Sequence, residues 1–202
     1  MEDRCFPEKP VHFIFNLMNP ARPSPLLLLC GMLLFCGTRC PAEPAAVANP
    51  SNFTVPAVVG GGHFTLAGAK GKYVAVHFLL KTECPFCLRH TADYTAKASS
   101  LPGVIQLFLK PDSEAEIRTW TSHLPASTAP ALPLYRDAGA ALAAAYHIPD
   151  GYAFHGQTVH YPATLLLGPD GKEVFRYVGK NNGDRLSFEK LAAKVKELEA
   201  AR

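Results

Sequence analysis

Past Pro41 the chain carries just two cysteines, Cys84 and Cys87; the other four, Cys5, Cys30, Cys36 and Cys40, all precede it. A secreted domain held by structural disulfides spreads its cysteines through its loops, and a close pair encloses too little chain to constrain the unfolded state. A disulfide scaffold is therefore excluded. A basic stripe is also missing, because 20 Lys+Arg against 17 Asp+Glu leave a net charge of +3 without a cluster. Contacts that neutralise nucleic-acid phosphates have no footing here. There is no internal repeat, no GxGxxG and no Walker loop, which removes the usual phosphate cradles. The longest apolar run, Leu26 to Cys36, is too short for a comfortable membrane span of roughly 20 residues.

That run sits in a recognisable setting. Met18-Asn19-Pro20-Ala21-Arg22 gives a charged start, Leu26 to Cys36 a short apolar stretch, and Gly37 onward a region of small residues. This is the layout of a secretory signal. Residues 1–48 are expected to be a targeting segment and linker, with translation starting at Met18 and cleavage after Ala42 or Ala48. An uncleaved signal anchor is the alternative. Arg39, just before Cys40, disagrees with the small residue that lipid modification of that cysteine would require. The expected location is periplasmic or extracellular, with a membrane tether possible through the N-terminal segment. Residues 49–202, about 150 in number, suit one domain with its own core.

Within that domain, periodicity gives an alternating order. Tyr73 to Leu80 is a continuous apolar run, as in a strand covered on both faces. Pro85 to Ser99 is helical in composition, with Pro85 tolerated in the first turn. Gly103 to Leu109 is a second strand, and Asp112 to Leu124 a helix that opens on acidic residues. Leu134 to Arg136 is a short strand, followed by an Ala-rich helix from Ala138 to Tyr146. Ala163 to Leu167 and Glu173 to Val178 form a hairpin across Gly168-Pro169-Asp170-Gly171. A last helix runs from Leu186 to Ala200, capped by Ser187 or Asp184, and Ile117, Trp120 and Leu124 share a core-facing spacing. Parallel crossovers come first and an antiparallel hairpin last, an α/β order with a central mixed sheet flanked by helices.

The chemistry concentrates where the first long strand meets the first long helix, at Cys84-Pro85-Phe86-Cys87. A C-x-x-C at such a junction is the place for a redox dithiol. A thiol at a helix N-terminus faces unpaired N–H groups and the positive end of the helix dipole, so its pKa falls. Cys84 is therefore the expected nucleophile. Cys87, one turn further in, is placed to resolve a mixed disulfide formed at Cys84.

This order, with Cys84 and Cys87 at the junction and Tyr161-Pro162-Ala163-Thr164 entering the penultimate strand, resembles the thioredoxin superfamily. In detail it is similar to the redoxin branch, which contains AhpC/TSA (peroxiredoxin-like) proteins and membrane-tethered thiol-disulfide oxidoreductases. The resemblance covers roughly Asn52 to Leu198 and implies a thioredoxin-like fold. It implies an exported thiol-disulfide oxidoreductase with antioxidant or redox-homeostasis duties, needing no cofactor beyond its dithiol. Its partners would be protein thiols and disulfides and an electron donor or acceptor. The family's cis proline falls on Pro162, and Phe86 and Tyr161 fall on the substrate-facing surface. The Pro85-Phe86 pair is closer to glutaredoxin motifs than to the Gly-Pro of thioredoxin, and Glu83 stands where thioredoxin has tryptophan.

Two other readings use the same residues. A peroxiredoxin-like peroxide reductase calls for Pro-x-x-x-Thr-x-x-Cys and an arginine beside the thiolate. Here Thr82 is two residues before Cys84, and the arginine's usual place falls on Pro162, leaving Arg89 or Arg176 as replacements. Slow oxidation by peroxide is the expectation. Cys84, Cys87 and His160 also resemble the ligands of Sco-type copper chaperones, since thiolates and imidazole suit copper or zinc. The spacing C-x-x-C departs from that family's C-x-x-x-C. His90, three residues after Cys87, shares its helix face, where a solvated histidine is the commoner arrangement. His155, in a Gly-rich insertion, 150–156, is expected either to line a substrate groove or to pack.

Overall fold

Every residue of Tyr73–Phe78 is buried, and alternation of its side chains between two apolar layers sets the centre of the molecule. The computed structural model describes residues 49–81, 84–125, 133–154 and 157–201, all within one unit, Ala45–Arg202. The expected targeting segment, Thr82, Glu83 and His155 lie outside the described residues. Among those described, no helix is long and apolar enough to cross a membrane.

In chain order the elements are β1 (Thr54–Val59), β2 (His63–Thr65), β3 (Tyr73–Phe78), α1 (Pro85–Lys97), β4 (Val104–Lys110), α2 (Glu114–Thr121) and β5 (Leu134–Arg136). They continue with α3 (Ala141–Ala145), β6 (Asp150–Phe154), β7 (Gln157–His160), β8 (Ala163–Leu167), β9 (Glu173–Val178) and α4 (Phe188–Ala200). Seven strands form one sheet in the order β2-β1-β5-β4-β3-β8-β9, while β6 and β7 form a separate hairpin. β3, β4 and β5 run parallel, and β8 and β9 add antiparallel to the other side of β3. The expected mixed sheet, with crossovers first and a hairpin last, is the architecture found.

The two faces divide as the alternation of β3 requires. Tyr73 and Ala75 join a layer with Cys84, Cys87, Tyr94, Trp120, Leu191 and Val195, so α1, α2 and α4 cover that face. Val74, Val76 and Phe78 join Leu66, Ala143, Tyr146 and Ile148 on the other. Ile117 and Trp120 are buried as their spacing implied.

Several boundaries differ from the periodicity. α2 is shorter than 112–124, because Ser113 caps it and Glu116 reaches back to the Ser113 amide, a capping box. Asp112 is occupied instead with Lys110, 3.3 Å away. The Ala-rich stretch starts as a 3-10 turn with Gly139 and Ala140 at positive φ, so α3 begins only at Ala141. Asp137 accepts from the amides of Leu142 and Ala143 and closes that start. Of the two caps considered for the last helix, Ser187 is the one used, accepting from Lys190 N. β1 is apolar but broken by Pro56, β2 is three residues long, and the hairpin β6–β7, whose first strand falls in the Gly-rich insertion 150–156, carries no alternation.

Candidate active site

β3 ends at Phe78 and α1 begins at Pro85, with Cys84 in extended geometry as the residue before the helix and Pro85 in its first turn. The proline fixes φ without forfeiting a needed donor. Cys84 is 8% exposed and Cys87 fully buried, and both are free thiols. The Cys87 thiol donates to the Cys84 sulfur, and with Arg185 and the Cys87 and Phe86 amides this lowers the Cys84 pKa to about 6. Burial, and the proton held toward Cys84, push the Cys87 thiol well up. One sulfur is thus prepared as a thiolate and the other as its proton donor.

Arg185 is the residue that sequence reasoning missed. Its Nη2 donates to Cys84 Sγ at 3.4 Å and to Cys87 Sγ at 3.2 Å, and its Nε donates to Asn182 O at 3.2 Å. It arrives from the loop between β9 and α4, 101 residues from Cys84 in sequence. No local spacing ties it to the C-x-x-C. The two arginines considered as replacements are used elsewhere: Arg89 stacks on Phe86 at 4.8 Å, and Arg176 pairs with Glu173 at 2.6 Å. The arginine at the dithiol is therefore Arg185, in place of Arg89 or Arg176.

Pro162 leads into β8, which lies between β3 and β9, so it is not an edge-strand proline. Ala163 pairs with Phe78, which brings Pro162 to the end of the sheet where β3 delivers the dithiol. The Pro162 carbonyl accepts from Gly179 N at 2.8 Å. Gly179 must lack a side chain there, since a Cβ would stand 2.1 Å from Asp184 O and 2.9 Å from Pro162 Cγ. Asp184 in turn accepts from Tyr177 and from the Lys180 amide. This contact fixes the loop that carries Arg185. Phe86 and Tyr161 line one groove of about 410 Å³ with Tyr152, Lys180 and Asn182, open to solvent beside the dithiol.

The histidines divide. His90 is buried, 8% exposed, and its Nε2 lies 3.0 Å from His77 Nδ1, which corrects the expectation of a solvated position. Burial first, then the neighbouring imidazole, hold His90 well below the usual range. His160 is buried on β7, with Nδ1 2.7 Å from Tyr161 O and its ring edge-on to Phe78. It lines a different cleft, of about 280 Å³, with Lys81, Asp112 and Glu116. Among the described residues no three His, Cys, Asp or Glu side chains lie close enough to hold a metal ion. Cys84, Cys87 and His160 are thus not gathered into a ligand set.

The AhpC/TSA family model matches residues 48–174. Among solved structures, the reduced 2-Cys peroxiredoxin of Plasmodium vivax superposes with a TM-score of 0.61 at 18% identity, covering 76% of this chain and 95% of its own. The bacterioferritin comigratory protein of Xanthomonas campestris gives 0.57 at 20% identity, covering 74% and 91%. The exposed lipoprotein thioredoxin of Streptococcus pneumoniae gives 0.57 at 22%, covering 72% and 98%. At these identities the likeness is one of fold. No curated protein matches the chain.

Proposed function

The chain belongs to the AhpC/TSA family, a group of thiol-based redox proteins, and we propose that it is an exported thiol-disulfide oxidoreductase working by dithiol exchange at Cys84 and Cys87. The observation that carries the reading is the guanidinium of Arg185, set 3.4 Å from one sulfur and 3.2 Å from the other. A dithiol cycle needs a counter-charge for each sulfur in turn, and this cation reaches both. Cys84 attacks as a thiolate and forms a mixed disulfide. Cys87 then attacks Cys84 Sγ, and the client leaves as a thiol. The groove at Phe86 and Tyr161 supplies the surface on which an extended client segment lies beside Cys84. Export rests on the signal-like segment 18–48, which would place the dithiol in the periplasm or outside the cell, free or tethered.

Reduction of a protein disulfide such as insulin by the reduced domain tests the reading. Cys84→Ser should abolish turnover, and Cys87→Ser should stop after one attack with a client bound through Cys84. Full turnover in Cys84→Ser would remove it.

A second reading is favoured by the same arginine. A guanidinium on the nucleophilic sulfur also suits a peroxide held for attack by Cys84, with Cys87 condensing on the sulfenic acid so formed and releasing water. Peroxide kinetics separate the two.

A further inference from the structure

Lys110 is fully buried at the end of β4, an expensive place for a charge. Its ammonium is 3.3 Å from Asp112 Oδ2 and 4.5 Å from the centre of the Trp120 ring. It also donates to the carbonyl oxygen of Leu80 at 2.7 Å. That oxygen lies 3.9 Å from Cys87 Sγ, and the amide of the same Leu80 donates to Cys87 Sγ at 3.2 Å. The ammonium is the stronger donor to that carbonyl and leaves Cys87 only a long contact with its second lone pair. The closer contacts of the Cys87 sulfur are donors, Leu80 N–H and Arg185 Nη2, each at 3.2 Å.

In the reduced pair this environment is masked, because the Cys87 proton is held by the Cys84 thiolate. Formation of the mixed disulfide removes both the charge and the acceptor at Cys84. We propose that Lys110 is a positioning residue for the second half of the exchange: its buried charge, seated on the Leu80 carbonyl while the Leu80 amide donates to Cys87 Sγ, favours the thiolate that attacks Cys84. The inference rests on the dithiol-exchange reading. In that step the Cys84–Cys87 bond forms and the bond from Cys84 to the client sulfur breaks. The proton lost by Cys87 passes to solvent, and the departing client thiolate takes one up. The dithiol gives up two electrons and the client disulfide gains them.

The titratable and charged groups around Cys87 are Cys84 on its own helix, Arg185 from the loop before α4, Lys110 with Asp112 at the end of β4, and Tyr152 from β6. Asp112 opposes Lys110, so the two members of one ion pair should act on Cys87 with opposite signs. A residue that merely stabilises the fold would not behave so.

The test is an ultraviolet titration of the Cys87 thiolate in the full chain carrying Cys84→Ser, which removes the masking charge. The Cys87 midpoint should fall below that of the second thiol of the wild-type pair. Adding Lys110→Met should raise it by about one unit, tenfold in thiolate at a fixed pH, and adding Asp112→Asn should lower it. In the otherwise unaltered chain, Lys110→Met should slow release of the client from the mixed disulfide about tenfold while leaving the first attack unchanged. An unaltered midpoint in Lys110→Met, or shifts of the same sign for both substitutions, overturns the proposal. Should Lys110→Met not fold, the Cys84→Ser and Asp112→Asn midpoints still decide, and failure of either to move downward overturns it. Because the titration reads Cys87 directly, absence of exchange activity would refute the dithiol reading and leave this result standing on its own.

Discussion

The imidazoles of His77 and His90 share a hydrogen bond of 3.0 Å where α1 packs on β3. Gln106 Oε1 accepts from His77 Nε2 at 2.9 Å, so His77 Nδ1 is the acceptor and His90 Nε2 the donor. His77 must be neutral for this arrangement, since its Nδ1 accepts. Burial lowers the His77 pKa to about 4. A depressed folded value means that the stability is present above the unfolded pKa of about 6.5 and is lost as pH falls toward about 4. Urea midpoints should hold near neutrality and then drop across that window, by roughly 3 kcal/mol for His77. His77→Asn should flatten the slope while lowering stability throughout. A profile that stays flat from neutral pH down to about 4 would contradict it.

Arg185→Met should raise the midpoint of Cys84 alkylation against pH from about 6 by roughly one unit or more. Arg185→Lys should recover part of the shift, since it keeps the charge and loses the planar fork. Thermal stability should change little. An unshifted alkylation profile in Arg185→Met would show that the guanidinium does not act on the sulfur.

Gly179→Ala places a methyl group 2.1 Å from Asp184 O, against backbone that cannot easily retreat. A loss of about 1–3 kcal/mol is expected, with a rise in the Cys84 pKa as the loop carrying Arg185 moves. Calorimetry and the alkylation profile check the two parts separately.

Hydrogen peroxide should oxidise Cys84 more slowly than Cys84 exchanges with a protein disulfide, because the guanidinium is shared between two sulfurs instead of aimed at one. Stopped-flow kinetics on the reduced domain decide this. A peroxide rate above the exchange rate would put the peroxide-reductase reading first.

The sheet was legible where burial is two-sided. Tyr73 to Leu80 and Ala163 to Leu167 announce themselves by unbroken apolar runs, and the dithiol by its place at a strand-to-helix junction. β6 and β7 were not legible, because Gly151 and the polar residues of Gln157–His160 carry no alternation that a single sequence reveals. Arg185 and Lys110 were hidden for another reason. A long cationic side chain reads as surface, and only the closing of the sheet sets Arg185 against the Cys87 sulfur, 98 residues away, and Lys110 against the Leu80 carbonyl, 30 residues away. His90 misled in the same way, since its partner His77 lies on a different element.

The central claim is that Cys84 attacks and Cys87 resolves, and the bond that Cys84 holds after turnover tests it most directly. Peptide mass spectrometry of the domain after reaction with a protein disulfide should find a Cys84–Cys87 link that dithiothreitol reverses. In Cys87→Ser it should find the client attached to Cys84 alone. A client attached to Cys87 in the wild-type chain, or Cys84 left unmodified while disulfides are exchanged, would contradict the account.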